Sequence, residues 1–510
     1  MCSRILGLVR EQIFAGLFGA GYAYDSFVVA FRIPNLLRDL FGEGALSAAF
    51  VAVFSDYHAN RSREEMWQLA SNVLCFFAVT VSLVVLLGLF FADDIVAVLA
   101  SGFSSVDGKA ELTKTMTVIM MPFLLFISLS AVVMGILNTR GHFFVPALAS
   151  SFFNLGSILG GTSLAFILPS YGYPAITGMA FGTLIGGFLQ LAIQLPSLKK
   201  AGFRFIPTFR IKDPGLVRIL KLMVPATIGL SATQINIFIN TKFASLCIEG
   251  SVSWLNYAFR LVQLPIGLFG VAISIAALPI LARHASQNNI EALKDTFVSS
   301  LTMVFCLTIP ASVGLIILSE PIIRLIFEHG AFTSIDTSST AAALSLFAIG
   351  LFAYSANKVI VPVYYAINAT RYPVIASFMA IALNIVIITN TIDTYQHKAI
   401  ALSTSATMIM NFLFLAAVLY IKTGGYSLKY LGTGILKIIA ASLAMGGVLL
   451  FIYDLFGKTA SFSILSQCLF LGITIPIAAL LYITILHFLK VPELDAVTEK
   501  IKLKIFPSGN

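Results

Sequence analysis

Apolar residues run through this chain in blocks of about twenty, long enough at about 1.5 Å per residue to cross a hydrocarbon core of about 30 Å. Charged, glycine and proline residues separate the blocks. The pattern predicts fourteen membrane-spanning helices, at 3–20, 25–54, 68–99, 113–138, 144–168, 173–196, 219–247, 253–282, 296–318, 338–366, 372–391, 397–421, 431–453 and 462–489. The segment "SEPIIRLIFEHGAF" (319–332) is amphipathic and too short to span, so it is assigned to the interface. The predicted fold class is an all-α polytopic membrane protein.

Composition agrees. Of 510 residues, 58% are hydrophobic and 11% charged, and the mean hydropathy is +0.94, leaving no room for a soluble domain between the spans. An even span count puts both termini on one side. With that side cytoplasmic, twenty Lys and Arg lie in cytoplasmic segments or the adjoining span ends, against five outside (Lys109, Lys114, Arg324, Lys398 and Lys458). This is the positive-inside bias. It accounts for the net charge of +9, so no nucleic acid is needed as a partner. The basic run "SLKKAGFRFIPTFRIKDPGLVRILK" reads as a cytoplasmic linker, bounded at 197–218. Cys2, Cys75, Cys247, Cys306 and Cys468 are scattered without a CxxC pair, which fits packing residues and disfavours a metal site or disulfide framework. Without a G-x-x-x-x-G-K-[ST] loop, an ATP-driven pump in one chain is disfavoured.

The two sides of the linker echo one another. A shift of 228 residues aligns Ala30-Phe31-Arg32 with Ala258-Phe259-Arg260, Leu40-Phe41-Gly42 with Leu268-Phe269-Gly270, and Ala48-Ala49 with Ala276-Ala277. The matched spans are each the second of a six-span unit, so the repeat is parallel and related by an axis along the membrane normal. The expected organisation is an N-terminal lobe at 1–196, the linker, a C-terminal lobe at 219–421, two additional spans within 422–489 and a cytoplasmic tail at 490–510. Two lobes around a central cavity suit alternating access. The repeat also fails informatively: Arg38, Asp39 and Glu43 face Ile266, Gly267 and Val271 in the second copy.

Seven basic residues fall inside spans: Arg4, Arg10, Arg32, Arg38, Lys242, Arg260 and Lys358. Each costs about 2.5–3.5 kcal/mol at a helix centre, so they are expected to face a polar interior, Lys242 and Lys358 excepted as snorkelling residues. Asn35, Arg38, Asp39 and Gly42 share a helix face, and Pro34 just before them is expected to bend the span. Arginines converging from three spans suit a phosphate or pyrophosphate, because each guanidinium offers paired charge-assisted hydrogen bonds. Two other readings stand beside this one. The charges could pair internally, Arg38 with Glu43 or Asp25 and Arg10 with Glu11, or the acids could couple protons or cations.

At these residues the sequence resembles the MurJ/MviN family of lipid II flippases, within the multidrug/oligosaccharidyl-lipid/polysaccharide exporter superfamily. The resemblance is carried by "SRILGLVREQIFAGLFGAGYAYDSFVVAFRIPNLLRDLFGEGALSAAFVAVFSDY" (3–57), "GILNTRGHFFVPALASSFFN" (135–154), "GSVSWLNYAFRLVQLPIGLFGVAISIAALPILARHAS" (250–286) and "VPVYYAINATRYP" (361–373). It implies two six-span lobes, with the two extra spans forming a groove for a lipid tail. It also implies movement of undecaprenyl-pyrophosphate-linked disaccharide-pentapeptide from the cytoplasmic to the periplasmic leaflet for peptidoglycan synthesis. By position Arg4, Arg10, Arg38 and Arg260 match the family's cavity arginines, Asn35 an asparagine of the same motif, and Asp25 and Glu43 its functionally important acids, which are expected to gate or couple. Asn240 and Ala369 replace acids that many members carry, so sodium coupling is not expected. Phe259 and Gln263 stand where acids often flank the arginine at 260. Relatives have further residues ahead of the first motif, so Met1 falls inside span 1 and an earlier start is expected.

The resulting expectation is a transporter without covalent chemistry or cofactor, monomeric, resident in the bacterial cytoplasmic membrane, and driven by membrane potential or an ion gradient. A flippase for another polyprenyl-linked glycan and a multidrug/cation antiporter are the alternatives. A glycosyltransferase would need large external catalytic loops, which the span pattern lacks.

Overall fold

The computed structural model describes residues 2–41, 44–460, 463–491 and 493. These form helices α1 (Cys2–Phe18), α2 (Tyr22–Phe41), α3 (Ala45–Asn60), α4 (Arg63–Phe90), α5 (Ala92–Leu99), α6 (Lys109–Met120), α7 (Phe123–Thr139), α8 (Phe144–Ile167), α9 (Thr177–Ala192), α10 (Leu195–Lys200), α11 (Pro214–Ser245), α12 (Ser251–Pro265), α13 (Val271–Ser286), α14 (Ile290–Ile317), α15 (Ser319–Phe327), α16 (Ser334–Ile349), α17 (Leu351–Ala366), α18 (Arg371–Tyr395), α19 (His397–Lys422), α20 (Leu428–Ala460) and α21 (Ile464–Phe488). No strand occurs among the described residues. Among the described residues ten helical stretches are long and apolar enough to cross a membrane, or eleven with the pair α16 and α17, bent by 43° at Gly350. The other three predicted spans fall on α1, on α2 with α3, and on α11. Span 25–54, expected as one helix, is interrupted: α2 ends at Phe41 and α3 begins at Ala45.

The chain divides into two compact units, residues 1–253 with 329–332, and 254–328 with 333–510. In the first, short-range chemistry fixes the helix starts. Ser62 and Glu65 form a reciprocal capping box at the start of α4, and Asp213 caps α11 through Leu216 N–H at 3.0 Å, with Pro214 in the first turn. Helices α8 and α9 approach backbone to backbone. A Cβ on Gly182 would stand 2.5 Å from Gly161 Cα, so only a bare backbone fits there. On α4, Val79, Leu83, Leu86 and Phe90 are exposed at spacings of three and four, a stripe suited to lipid.

The segment expected at the interface divides in two. In the second unit α15 buries Ile323 and Phe327 and holds Arg324 between Glu320 (2.7 Å) and Glu328 (3.3 Å). Residues 329–332 pack instead in the first unit, where Ala331 N–H donates to Gly16 O at 2.9 Å. The core of the second unit gathers around α14, α17, α19, α20 and α21. Buried phenols tie it together: Tyr364 donates to Leu415 O (2.6 Å) and Tyr482 to Cys306 O (2.7 Å). The predicted span 253–282 is α12 and α13 joined by a π-helical turn, Ile266–Gly270, directly after Pro265.

Candidate functional site

Helix α1 carries Arg10 and Glu11, both buried. Arg10 Nη2 meets Glu11 Oε1 at 2.8 Å. The guanidinium lies over the rings of Phe14 (5.8 Å) and Phe153 (5.5 Å), while its Nε has no hydrogen-bond partner. Glu11 Oε2 accepts from the Tyr24 hydroxyl at 2.5 Å. An arginine held by one carboxylate, with aromatic walls and a spare donor, is positioned yet not saturated. Arg4, six residues earlier on α1, is exposed.

Helix α2 is polar at a period of seven. Its Asp25, Arg32 and Asp39 each reach a partner on α11 or just beyond it. Asp39 Oδ2 accepts from Gln234 Nε2 at 3.1 Å, Arg32 donates to Thr241 Oγ1, and Asp25 accepts from the backbone N–H groups of Gly250 and Ser253, both at 2.9 Å. Positions fall by seven along α2 as they rise by seven from Gln234 to Thr241, so the helices run antiparallel with a polar contact every second turn. This period explains why a hydrophobic helix spends charges at 25, 32 and 39.

Arg38 pairs with Asp39, through Nη2 at 3.1 Å and Nε at 3.3 Å to the same Oδ1. The pairing of Arg38 with Asp25 entertained from sequence does not form. The two lie thirteen residues apart on one helix, about 20 Å, and Asp25 is engaged elsewhere. Glu43 lies outside the described residues. Asp39 is the carboxylate that orients Arg38. Asn35 is half-buried one turn before Arg38.

Asp25, expected to gate or couple, is a fully engaged buried carboxylate. Besides the two backbone donors it accepts from Ser253 Oγ at 2.6 Å and pairs with Lys109 Nζ at 2.9 Å. Lys109, counted from sequence with the solvated outer charges, is instead buried at the start of α6, its ammonium 4.4 Å from the Phe103 ring centroid. The burial comes from Gly108, whose left-handed φ of 70° opens α6 and brings the lysine next to Asp25. Nearby, Glu249 Oε1 accepts from Tyr22 N–H at 2.9 Å. Thus Asp25 caps α12 while Glu249 caps α2, and Asp25 and Ser253 are equivalent positions of the 228-residue repeat. A cavity of about 230 Å³ adjoins this clasp, bounded by Asp25, Lys109, Phe103, Cys247 and Glu249 among others.

The first unit therefore brings together Arg10 with Glu11, and Arg38 with Asp39 and Gln234, and sets Asp25 apart at the far end of α2. Arg260 is half-buried on α12 in the second unit. Asn240 is half-buried on α11, and Ala369 is buried in the turn after α17, its N–H donating to Tyr364 O at 2.8 Å. Sequence reasoning missed Lys109, Tyr24, Gln234 and Thr241. The last two carry a signal in hindsight, their spacing of seven matching that of Arg32 and Asp39. Among the described residues no group of three or more His, Cys, Asp or Glu gathers as a metal site.

Comparison with known proteins gives a consistent picture. Residues 14–470 match the family model described as lipid II flippase MurJ. A protein of Vibrio cholerae named "Probable lipid II flippase MurJ" is 34% identical over 98% of this chain and 96% of its own length. The protein named "Lipid II flippase MurJ" of Burkholderia cenocepacia is 34% identical over 81% of this chain and 80% of its own. A solved structure of the lipid II flippase MurJ in an inward closed conformation superposes with a TM-score of 0.76 at 33% identity, covering 95% of this chain and 96% of that one. An inward-facing multidrug transporter of the MATE family aligns at a TM-score of 0.70 with 14% identity, a likeness of fold alone.

Proposed function

Because the chain belongs to the MurJ lipid II flippase family, we propose that it carries the undecaprenyl-pyrophosphate-linked disaccharide-pentapeptide from the cytoplasmic to the periplasmic leaflet of the bacterial cytoplasmic membrane. It is a multi-pass transporter and not an enzyme. The observation that carries the reading is Arg10: a guanidinium oriented by one carboxylate and walled by two phenyl rings, with Nε unpartnered. A pyrophosphate would meet a donor already in place, with little ordering cost.

In this reading Arg4, Arg10, Arg38, Arg260 and Asn35 bind the pyrophosphate and neighbouring polar groups, and Asp39 orients Arg38. Asp25 and Glu43 serve gating. For Asp25, support comes from its four donors on two other chain segments, a cluster that must break as a whole if the α2 and α12 starts separate. Both termini are cytoplasmic, the protein acts as a monomer, and a membrane potential or ion gradient drives the cycle. Asn240 and Ala369 argue against sodium as the coupling ion. The antiporter alternative draws only on the MATE fold.

The test is complementation of a strain depleted of its lipid II flippase by this chain and by Arg10→Ala, Arg38→Ala and Arg260→Ala. Growth with the unaltered chain and loss of growth in each variant, at equal membrane abundance, is the expected result. Full rescue by all three variants would overturn the arginine assignment. Failure of the unaltered chain at normal abundance would favour another polyprenyl-linked glycan. Transport that stops when sodium alone is removed would overturn the reading of Asn240 and Ala369.

A further inference from the structure

The segment after α10, "GFRFIPTFRIKDP" (202–214), has no regular secondary structure up to α11, yet α4 holds its backbone. Asn72 makes a two-way bond to Arg210, donating from Nδ2 to its carbonyl (3.0 Å) and accepting its N–H at Oδ1 (2.7 Å). Ser71 Oγ accepts from Ile206 N–H at 3.1 Å. These contacts explain a Ser-Asn pair inside an apolar span: the pair satisfies a strap that lacks a ladder of its own. A segment fixed this way has side chains with defined directions. Arg204, Phe205, Phe209, Arg210, Ile211 and Lys212 all point outward, with Phe205 56%, Phe209 50% and Ile211 57% exposed.

Phe209 gives the strap a depth. Its ring stacks on Phe76 of α4 at 6.3 Å and 22°. Phe76 stands three residues before Val79, the first of the exposed stripe on α4, so Phe209 continues that lipid-suited stripe past its end. The guanidinium and ammonium groups of Arg210 and Lys212 follow at once, where headgroups begin. The acid Asp213 is committed to capping α11, so the exposed face of the strap carries only positive charge. Apolar rings at the boundary with cations beside them match a leaflet surface bearing anionic phospholipid; a free phosphate would leave the rings without a role.

We propose that residues 203–212 form a fixed strap that recognises anionic phospholipid headgroups of the cytoplasmic leaflet. This rests on the orientation with cytoplasmic termini and on no feature of the transported substrate, so it stands or falls apart from the pyrophosphate assignment.

The test uses the full chain. Protein purified from membranes and re-equilibrated in micelles with equal phosphatidylglycerol and phosphatidylcholine is assayed for retained lipid by mass spectrometry. Arg204→Gln/Arg210→Gln/Lys212→Gln should lower the retained ratio of phosphatidylglycerol to phosphatidylcholine about fivefold or more, whereas Lys429→Gln/Lys437→Gln should leave it near the unaltered value. An unchanged ratio in the triple variant, an equal fall in the control, or displacement of the lipid by inorganic phosphate would each overturn the proposal. Should the triple variant misfold, Phe209→Trp in vesicles of brominated lipid decides. Quenching is expected from bromines near the headgroup and weaker quenching from bromines deep in the chain; no quenching would place the strap off the membrane and refute it.

Discussion

Replacing Lys109 with methionine keeps most of the side-chain volume and removes the ammonium. Asp25 and Lys109 are 2.9 Å apart with side chains only 2% and 3% accessible, so the variant leaves an uncompensated buried carboxylate. Breaking such a pair from one side costs about 3–5 kcal/mol. The loss should fall toward the low end, because Gly250 N–H, Ser253 N–H and Ser253 Oγ still donate to Asp25. Asp25→Asn strands the ammonium instead, next to the rings of Phe103 and Tyr22, and gives up an acceptor. Removing both charges relieves both penalties, so the double variant should be less destabilised than the sum of the singles by about 2 kcal/mol. Unfolding midpoints in mixed micelles of rising SDS fraction, arranged as a double-mutant cycle, measure this. Additivity within about 0.5 kcal/mol would refute a coupled clasp. Cys247 offers an independent readout, since it borders the adjoining cavity: Lys109→Met should speed its alkylation by an impermeant maleimide added from the outer side.

Arg10→Lys keeps the charge but loses the planar donor between Phe14 and Phe153, so it should fail to support growth in the complementation assay at normal abundance, which a requirement for charge alone would not predict. Thr241→Val removes one acceptor of Arg32 and should cost about 1.5–3 kcal/mol in the same SDS titration. Gly182→Ala forces a methyl to within 2.5 Å of Gly161 Cα; it should cost about 1–3 kcal/mol as overpacking, read as a lowered aggregation temperature in detergent. Asn72→Ala unpins the strap at Arg210 and should increase trypsin cleavage after Arg204 or Arg210 severalfold in the intact protein, while cleavage elsewhere stays unchanged.

How much of this could be read beforehand differs by level. The spans were legible because hydrocarbon permits little besides long apolar helices, and the flanking lysines and arginines give a sidedness reading. The break between α2 and α3 was not, since the apolar pattern continues through 45–54. The importance of Arg10 and Arg38 followed from insertion cost. The pairing of Arg10 with Glu11 is among the sequence readings and forms in the structure, but the partner of Arg38 was not foreseen. Arg38 takes the adjacent Asp39, a choice set by Gln234 almost two hundred residues away. Lys109 shows the limit most plainly. By sequence it is one more charge after a glycine turn, and only the return of the chain at 250–253 makes it part of a buried ion pair. The asparagine and serine of α4 were passed over for the same reason: their purpose is a distant strap.

The seven-residue period shared by α2 and α11 limits how these helices can move. Polar contacts at Asp39 and Arg32 lie about 10.5 Å apart along α2 and tie it to Gln234 and Thr241 of α11, so a slide that is a small fraction of this breaks both without offering replacements. A membrane interior supplies no water to soften that loss. The pair is therefore locked in register and should travel as one beam through any transport cycle. Bending then has to concentrate outside the paired stretch, at the non-helical Gly44 before α3 and at Pro225 within α11.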